Sequence, residues 1–230
     1  MSRWTPVGDA RPHDEPWPPM TWPPPDTTTR TGTLTGTVVE VRPFVADRDA
    51  EDLFAAVDHD AVWEHVAGRP ADSTALAEML LGRFADGALP WVVRLRVPYA
   101  GLPAGTCVGS SSYLDVSVED ARLEIGSTTY TPSLWGTAVN PDTKLLLLGH
   151  AFEVLRASRV QLKTDVRNTR SQEAIARLGA TYEGTLRRYQ RRADGTVRDT
   201  ALFSVVAEEW PAVRAALQER VADAGPTPRR

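Results

Sequence analysis

The stretch SRVQLKTDVRNTRSQEAIARLGATYEG, at residues 158–184, decides the fold of this 230-residue chain. Its first part, from Arg159 to Thr164, alternates in the manner of a β-strand. Polar residues between Asn168 and Ser171 interrupt the alternation, and apolar residues then return at helical spacing until Gly179. The pattern therefore predicts a strand, a polar turn and a short helix, followed by another extended segment. In such a unit the turn presents side chains and free backbone amides to a ligand.

The sequence on both sides of this unit predicts a mixed α/β domain. Alternating runs indicate strands, and apolar residues at helical spacing indicate helices. The pair Asp194-Gly195 between two extended runs predicts a hairpin turn. The predicted strands are 37–44, 91–97, 106–116, 122–130, 159–164, 181–192 and 196–207, and the predicted helices, apart from the short one at 174–178, are 50–57, 74–84, 141–155 and 209–222.

The two ends of the chain differ from the domain between them. Residues 1–31 are rich in proline, which disfavours helices and strand ladders, so we expect an extended N-terminal extension. Its tryptophans, Trp4, Trp17 and Trp22, should seek burial. This predicts that part of the extension packs on the domain or on the second subunit of a homodimer. We expect the folded domain at residues 32–222 and a frayed tail at 223–230.

The composition limits the classes of function. Apolar residues make up 42% of the chain, enough for a core, and the absence of a long apolar run excludes a membrane span. With no apolar signal segment and with Cys107 as its single cysteine, the chain is predicted to be cytoplasmic. The net charge of −4 argues against a dedicated nucleic-acid binder.

A local basic cluster between two predicted strands has two interpretations. It is either a solvated hairpin or a rim that attracts an acidic partner. Its members are Arg187, Arg188, Arg191 and Arg192.

The motif Asn168-x-x-Ser171, followed by Arg-Leu-Gly, resembles the second half of the cofactor site in the GNAT superfamily of acetyl-CoA-dependent N-acetyltransferases. The runs Val160-Gln161-Leu162-Lys163-Thr164 and Glu183-Gly184-x-Leu186-Arg187 are similar to its ribosomal-protein N-terminal (alanine/serine) acetyltransferase branch. The resemblance covers about Val38 to Trp210. It implies an α/β fold whose mixed, mostly antiparallel sheet has six to seven strands and is flanked by helices. It also implies that the sheet splays between its fourth and fifth strands, here 122–130 and 159–164, so that the pantetheine arm of acetyl-CoA passes between them.

A second segment occupies the position at which GNAT proteins bind the pyrophosphate of acetyl-CoA. Its residues are Trp135, Gly136, Thr137, Ala138, Val139 and Asn140. Gly136 fits the family loop, whereas Ala138 and Asn140 replace the small residues that the family prefers. Asn140 is a suitable N-cap for the following helix, and Pro141 suits its first position. A helix start of this kind favours an anion, although a capped core helix without a ligand gives the same pattern.

Lys144 and Asn168 are the remaining candidates for cofactor binding. Lys144, one turn into the helix, could add a positive charge near the pyrophosphate. Asn168 resembles the family asparagine that contacts the pantetheine arm, and it is equally suited to cap the short helix that follows.

Transfer of an acetyl group to an amine requires removal of a proton from the ammonium and benefits from a donor to the departing thiolate. Glu124 is the candidate base, on the strand face that it shares with Gly126, because its place eleven residues before Trp135 matches the catalytic glutamate of histone-type GNAT enzymes. An outward-facing, salt-bridged glutamate is the alternative. Many GNAT enzymes use a tyrosine as the acid, but that position is Ile175 here. Ser171 is the replacement that the ribosomal-protein branch suggests, and a helix-capping serine is the alternative.

The resemblance therefore predicts an acetyl-CoA-dependent N-acetyltransferase that acts by direct attack of a primary amine, on a protein N-terminus or a small molecule. An aminoglycoside-type acetyltransferase is a second enzymatic interpretation. A catalytically degenerate CoA-binding domain, with a role in sensing or assembly, belongs to a different class. The acceptor groove is expected at 58–69 and 187–199. No metal is expected, because His59 and His65 have no third ligand at suitable spacing.

Overall fold

The computed structural model describes residues 16–22, 32–66, 68–192 and 194–224. A 3₁₀ turn (Pro132–Leu134) precedes the helix Val139–Gly149, and a π-helical turn (His150–Val154) follows it, so the helix predicted at 141–155 ends in a widened turn. The elements in chain order are β1 (Leu34–Thr35), β2 (Val39–Pro43), α1 (Ala46–Val57), α2 (Asp60–Trp63), α3 (Ser73–Ala85), β3 (Leu89–Leu95), β4 (Cys107–Ser117), β5 (Arg122–Tyr130), α4 (Val139–Gly149), β6 (Arg159–Asp165), α5 (Thr169–Ala176), β7 (Thr181–Arg191), β8 (Val197–Val206) and α6 (Trp210–Ala224).

The strands form a single sheet in the order β1-β2-β3-β4-β5-β6-β8-β7. All neighbouring pairs are antiparallel except β5 and β6. This confirms the predicted mixed, mostly antiparallel sheet, with eight strands among the described residues where six to seven were expected. The additional strand is β1, whose two residues pair with β2 and are too few to show a periodic pattern.

The parallel pair β5–β6 is joined at one end only. Pairing runs from Arg122 with Arg159 to Glu124 with Gln161 and stops there, although both strands continue. Beyond Glu124 the two strands therefore leave a gap between their facing edges. This gap is the predicted splay, and it opens toward the carboxyl ends of both strands.

Helices cover both faces of the sheet and bury a core on each. On one face α4 and α6 cover a core that includes Trp91 and Tyr113 of the sheet and Leu147 of α4. On the other face α1 and α3 pack around Leu53 and Val92. None of the helices in the described residues has the length and apolar character needed to cross a bilayer.

Part of the N-terminal extension lies on this domain. The Thr21 amide donates to the Leu155 carbonyl at 2.8 Å, and the Trp17 indole donates to the Arg156 carbonyl at 3.1 Å. Met20 is buried, and the Trp22 ring meets the Tyr113 ring edge-on. Trp22 thus packs against the core, while Trp17 stays 45% exposed. Trp4 lies outside the described residues.

Candidate active site

The segment 135–140 follows the carboxyl end of β5 and leads into α4. Gly136 has a φ of +77°, a left-handed conformation that glycine adopts without steric cost. The helix begins at Val139, so the prediction that Asn140 is its N-cap is wrong. The Thr137 hydroxyl accepts a hydrogen bond from the Val139 amide at 3.4 Å, and the chain enters the helix before Asn140.

This segment leaves backbone donors at the start of α4. Among the described residues, the amides of Gly136 and Asn140 have no hydrogen-bond partner. The free N–H groups and the positive end of the helix dipole lie together at the first turn of an eleven-residue helix. This arrangement has the donor chemistry that a phosphate requires.

The turn after β6 faces this loop. Asn168 caps α5, because its side-chain oxygen accepts the Ser171 amide at 3.0 Å, as one of its two interpretations predicts. The guanidinium carbon of Arg170 lies 3.5 Å from the centre of the Trp135 ring, a cation–π contact. The indole of Trp135 in turn donates to the Tyr130 carbonyl at 3.0 Å. The Arg170–Trp135 contact therefore joins the two halves of the predicted cofactor site.

The structure places Lys144 differently from the expected phosphate contact. Its ammonium is buried and donates to the hydroxyls of Thr128, at 2.7 Å, and Ser111, at 3.1 Å. Burial lowers the pKa of Lys144 to about 7, opposed by the negative charge of Glu124. The side chain is directed into the sheet, where the register of β5 against β4 shifts next to Thr128 and Ser127 has φ +46°. In this arrangement the ammonium does not reach out from the helix start.

Glu124 is buried in β5, just where the pairing with β6 ends. Its carboxylate occupies the space above Gly126: a Cβ at Gly126 would lie 2.6 Å from Glu124 Oε1 and 2.9 Å from Leu114 Cδ1. Burial raises the pKa of Glu124 to about 7, against the opposing effect of the nearby Lys163. A carboxyl group with this pKa exchanges protons readily at neutral pH.

Lys163 of β6 connects Glu124 to a second carboxylate. Its ammonium lies 2.7 Å from Glu124 Oε2 and 2.7 Å from Asp115 Oδ2, and it donates to the Tyr189 hydroxyl at 3.0 Å. The hydrogen bond from Lys163 lowers the pKa of Asp115, and the paired carboxylates raise that of Lys163 above its usual value. Glu124 is therefore salt-bridged, as the alternative to a base predicted, but it is held inward and not toward solvent.

Two cavities lie on the side of α3, and the larger of them reaches this group at Asp115. The larger, about 380 Å³, is lined by Trp22, Arg83, Asp86, Leu114 and Asp115, among others. A narrower pocket between α1, α3 and β5 is lined by Trp63, Arg83, Ser127 and Thr129, among others. Of the segments expected to line the acceptor groove, 58–69 contributes Trp63 and Val66 to the narrower pocket only, and 187–199 contributes to neither space, so the larger cavity lies outside the predicted groove.

Sequence reasoning missed Asp115, Lys163 and Arg83 as site residues. One feature of the sequence could have pointed to Lys163, because it is one of only two lysines in the chain. In the structure both lysines lie near Glu124. No sequence feature pointed to Arg83 or Asp115, because their place in the site follows from the packing of α3 on the sheet and from the pairing of β4 with β5. In the described part of the chain, no three His, Cys, Asp or Glu side chains converge on a common metal position.

Comparison with known proteins agrees with this architecture. The family model described as Acetyltransferase (GNAT) domain matches residues 39–181. The uncharacterized N-acetyltransferase YoaA of Bacillus subtilis (strain 168) is 23% identical over 70% of this chain and 90% of its own length. The crystal structure of a proposed acetyltransferase from T. thermophilus is 36% identical, with a TM-score of 0.71 over 82% of this chain and 96% of that one.

A second similar structure contains CoA in a disulfide form. It is RimJ from Mycobacterium smegmatis in complex with CoA-disulfide, which is 25% identical, with a TM-score of 0.62 over 85% of this chain and 94% of that one. This similarity supports the predicted branch. The family match spans the gap between β5 and β6, the loop that leads into α4 and the turn that starts α5. The chain therefore belongs to the GNAT family of acetyltransferases.

Proposed function

We propose that this enzyme transfers the acetyl group of acetyl-CoA to a primary amine, of a small molecule or a protein N-terminus, by direct attack of the amine on the thioester. The observation that carries the proposal is the buried carboxylate of Glu124 beside the gap between β5 and β6. In that position the Glu124 carboxylate lies between the gap that would hold the thioester and the larger cavity beside α3, where it can accept a proton from the attacking amine.

Glu124 is the proposed base. An amine is mostly protonated at neutral pH, with a usual pKa of ~10.4 for lysine, and only the free amine attacks. Because burial raises the pKa of Glu124 to about 7, its carboxylate is a stronger proton acceptor than an exposed glutamate and is still largely ionised at slightly alkaline pH. Lys163 keeps the carboxylate in place through its 2.7 Å contact.

Ser171 is the proposed donor to the departing thiolate. It lies in the first turn of α5, half-buried, at the carboxyl end of β6. As the new N–C bond forms and the C–S bond breaks, the sulfur gains the electron pair, and a hydroxyl can donate a hydrogen bond to it without ionising. Glu124 holds the proton that it took from the ammonium, and the second proton that the nitrogen loses as the amide forms passes to the sulfur, so that CoA leaves as the thiol.

The cofactor is proposed to lie along the gap, with its pyrophosphate at 135–140. The free amides of Gly136 and Asn140 fit the phosphate oxygens, and the unpaired edges of β5 and β6 beyond Glu124 fit the amides of the pantetheine arm. Thr137, Ala138 and Val139 shape this loop. The Arg170–Trp135 contact would hold it against α5, where Asn168 lies.

A CoA-binding domain without turnover is the alternative from a different class. It is favoured by Ala138 and Asn140 in the pyrophosphate loop and by Ile175 in the place of the family tyrosine. The inward placement of Glu124 counts against it. The cytoplasmic location and the homodimer stay predictions.

The test is an assay of CoA-thiol release from acetyl-CoA in the presence of small amines, N-terminal peptides, polyamines and aminoglycosides. We expect acceptor-dependent release, with the acetylated product identified by mass spectrometry. Calorimetry with CoA is the companion measurement. Binding of CoA without turnover of any amine would support the degenerate domain, and absence of binding at millimolar CoA would contradict both functions.

A further inference from the structure

Arg83 is a charged group that the acetyl-transfer step does not use. It lies in the last turn of α3, half-buried, and contributes to the walls of both cavities on this side of the sheet. Its guanidinium approaches the sulfur of Met79 at 3.7 Å. Within the described ranges no carboxylate lies within ion-pair distance of it, and burial lowers the pKa of Arg83.

Several of the other buried or partly buried arginines in the described residues have acidic partners, and two, like Arg83, have none. Arg94 lies 2.8 Å from Asp52, and Arg159 makes two contacts of 2.5 Å with Glu183. A guanidinium that is partly removed from water without an anion loses hydration that nothing replaces. A ligand carboxylate is the group that its planar donors match. Arg83 is therefore equipped for an anion that enters the cavity.

The same cavity also offers negative charge. Asp86 and Asp115 line it together with Arg83. Asp115 shares Lys163 with Glu124, so this part of the wall is continuous with the proposed base. A ligand that is positive at one end and negative at the other matches this distribution, with its amine toward Asp115 and Glu124 and its anion toward Arg83.

The dimensions favour a small ligand. The volume of about 380 Å³ is at the lower end of the range for small-molecule sites, roughly 300–1,000 Å³. Trp22 of the N-terminal extension, which packs on the core beside Tyr113, forms part of the wall. An aromatic wall at this place limits the length of the acceptor.

We propose that the acceptor is a small amine that also carries a carboxylate, an amino acid in chemical class, and that Arg83 binds this carboxylate. The proposal rests on the acetyl-transfer function and narrows it. Acetylation then forms the bond between the acceptor nitrogen and the acetyl carbon as the C–S bond breaks and CoA leaves as the thiol, while the carboxylate of the acceptor stays bound to Arg83 and unchanged.

The experiment compares matched acceptors in the full chain. A panel of amino acids and their primary amides, which lack the carboxylate, is offered with saturating acetyl-CoA, together with N-terminal peptides. We expect kcat/KM for the preferred amino acid to exceed that of its amide by about 10- to 100-fold, the range for a hydrogen bond to a charged group. In Arg83→Met this preference should fall to about onefold, because KM for the amino acid rises while kcat/KM for its amide stays the same. Arg83→Lys should restore part of the preference for the amino acid.

Arg214→Met is the matched control, since Arg214 is an exposed arginine of α6 that pairs with Glu153. It should keep the preference of the unmodified enzyme. Should Arg83→Met fail to fold, the comparison of amino acids with their amides in the unmodified enzyme still tests whether the enzyme recognises the acceptor carboxylate. Equal turnover of acids and amides, a preference for peptides, or an unchanged preference in a folded Arg83→Met protein would overturn the Arg83 proposal and leave acetyl transfer standing. Binding of acetyl-CoA without turnover of any amine would overturn the acetyl-transfer proposal and this one with it.

Discussion

Burial moves the pKa values of Glu124 and Lys144 toward neutrality from opposite directions. The carboxyl of Glu124 rises to about 7 and the ammonium of Lys144 falls to about 7. In both cases loss of hydration disfavours the charged form. Lys163 shows the opposite shift because two carboxylates pair with it. The three groups flank the proposed acetyl-transfer centre, where perturbed pKa values are expected of an active site.

Lys144 makes the stability of the fold depend on pH. Between about pH 7 and its usual pKa of 10.5, the unfolded chain binds one more proton at this residue than the folded chain. The free energy of unfolding should therefore rise with pH in this window, by at most about 1.4 kcal/mol per pH unit. In Lys144→Met this contribution is absent. Denaturant unfolding of both proteins at several pH values measures it, and parallel curves for the two proteins would contradict the lowered pKa.

Gly126 controls the position of the proposed base. A Cβ there would lie 2.6 Å from Glu124 Oε1, closer than side chains tolerate, so Gly126→Ala should displace the carboxylate. We expect kcat to fall by about tenfold or more, because small misplacements of a catalytic group are costly. The affinity for CoA should change little, which calorimetry checks. A Gly126→Ala enzyme with normal kcat would place the base elsewhere.

At the scale of elements, the site depends on two chain segments that meet at the carboxyl ends of β5 and β6. The loop 135–140 supplies free amides, and the turn 166–168 starts α5. The Arg170–Trp135 contact bridges them. Two separate features therefore form the site. The end of backbone pairing between β5 and β6 produces the gap, and the Arg170–Trp135 side-chain contact holds together the two segments beside it.

Gly136, near the start of this loop, allows a test of the loop as the pyrophosphate site. Gly136→Ala forces a residue with a Cβ into φ +77°, which costs on the order of 1 kcal/mol and should shift the loop. Gly105→Ala is the matched control, since Gly105 has φ +85°, equal space around it and a position in another turn. Both variants should lose similar stability, but only Gly136→Ala should weaken CoA binding in calorimetry. Equal CoA affinities in the two variants would count against the loop as the pyrophosphate site.

Elements whose patterns are local could be predicted from the sequence, and contacts that depend on pairing could not. The strand 159–164, the cap at Asn168 and the hairpin turn at Asp194 follow from periodicity and turn chemistry. The direction of Lys144 could not be predicted, because its hydroxyl partners Ser111 and Thr128 come together only through the pairing of β4 with β5. The Glu124–Lys163–Asp115 group required the register of three strands, which no short stretch encodes.

At the scale of the whole molecule, the N-terminal extension is part of the domain where it is described. Met20 is 3% exposed, and the ring of Trp22 meets that of Tyr113 at the core. The segment contacts the end of the π-helical turn, where the Thr21 amide donates to the Leu155 carbonyl. It also forms part of the wall of the larger cavity. Stability and the proposed acceptor site are thereby linked to a segment that precedes the sheet.

Met20→Ala should therefore destabilise the fold. Loss of a buried methionine side chain typically costs about 2–5 kcal/mol, which corresponds to a melting temperature lower by several degrees. Leu81→Ala is the matched control, because Leu81 is 41% exposed on α3 and its truncation should cost little. Differential scanning calorimetry measures both. Equal melting temperatures for the two variants would show that residues 16–22 do not contribute to the folded domain.

The measurement that tests the proposed chemistry most directly is the pH dependence of acetyl transfer in the unmodified enzyme and in Glu124→Gln. With the pKa of Glu124 raised to about 7, the rate of the unmodified enzyme should rise through pH 7 as the carboxyl loses its proton. Glu124→Gln should lower the rate near neutral pH by ~10²–10⁴-fold, with part of it recovered at high pH where the amine deprotonates unaided. The affinity for CoA should stay the same. An unchanged pH–rate profile in Glu124→Gln would contradict the assignment of Glu124 as the base and leave positioning of the two substrates as the source of the rate.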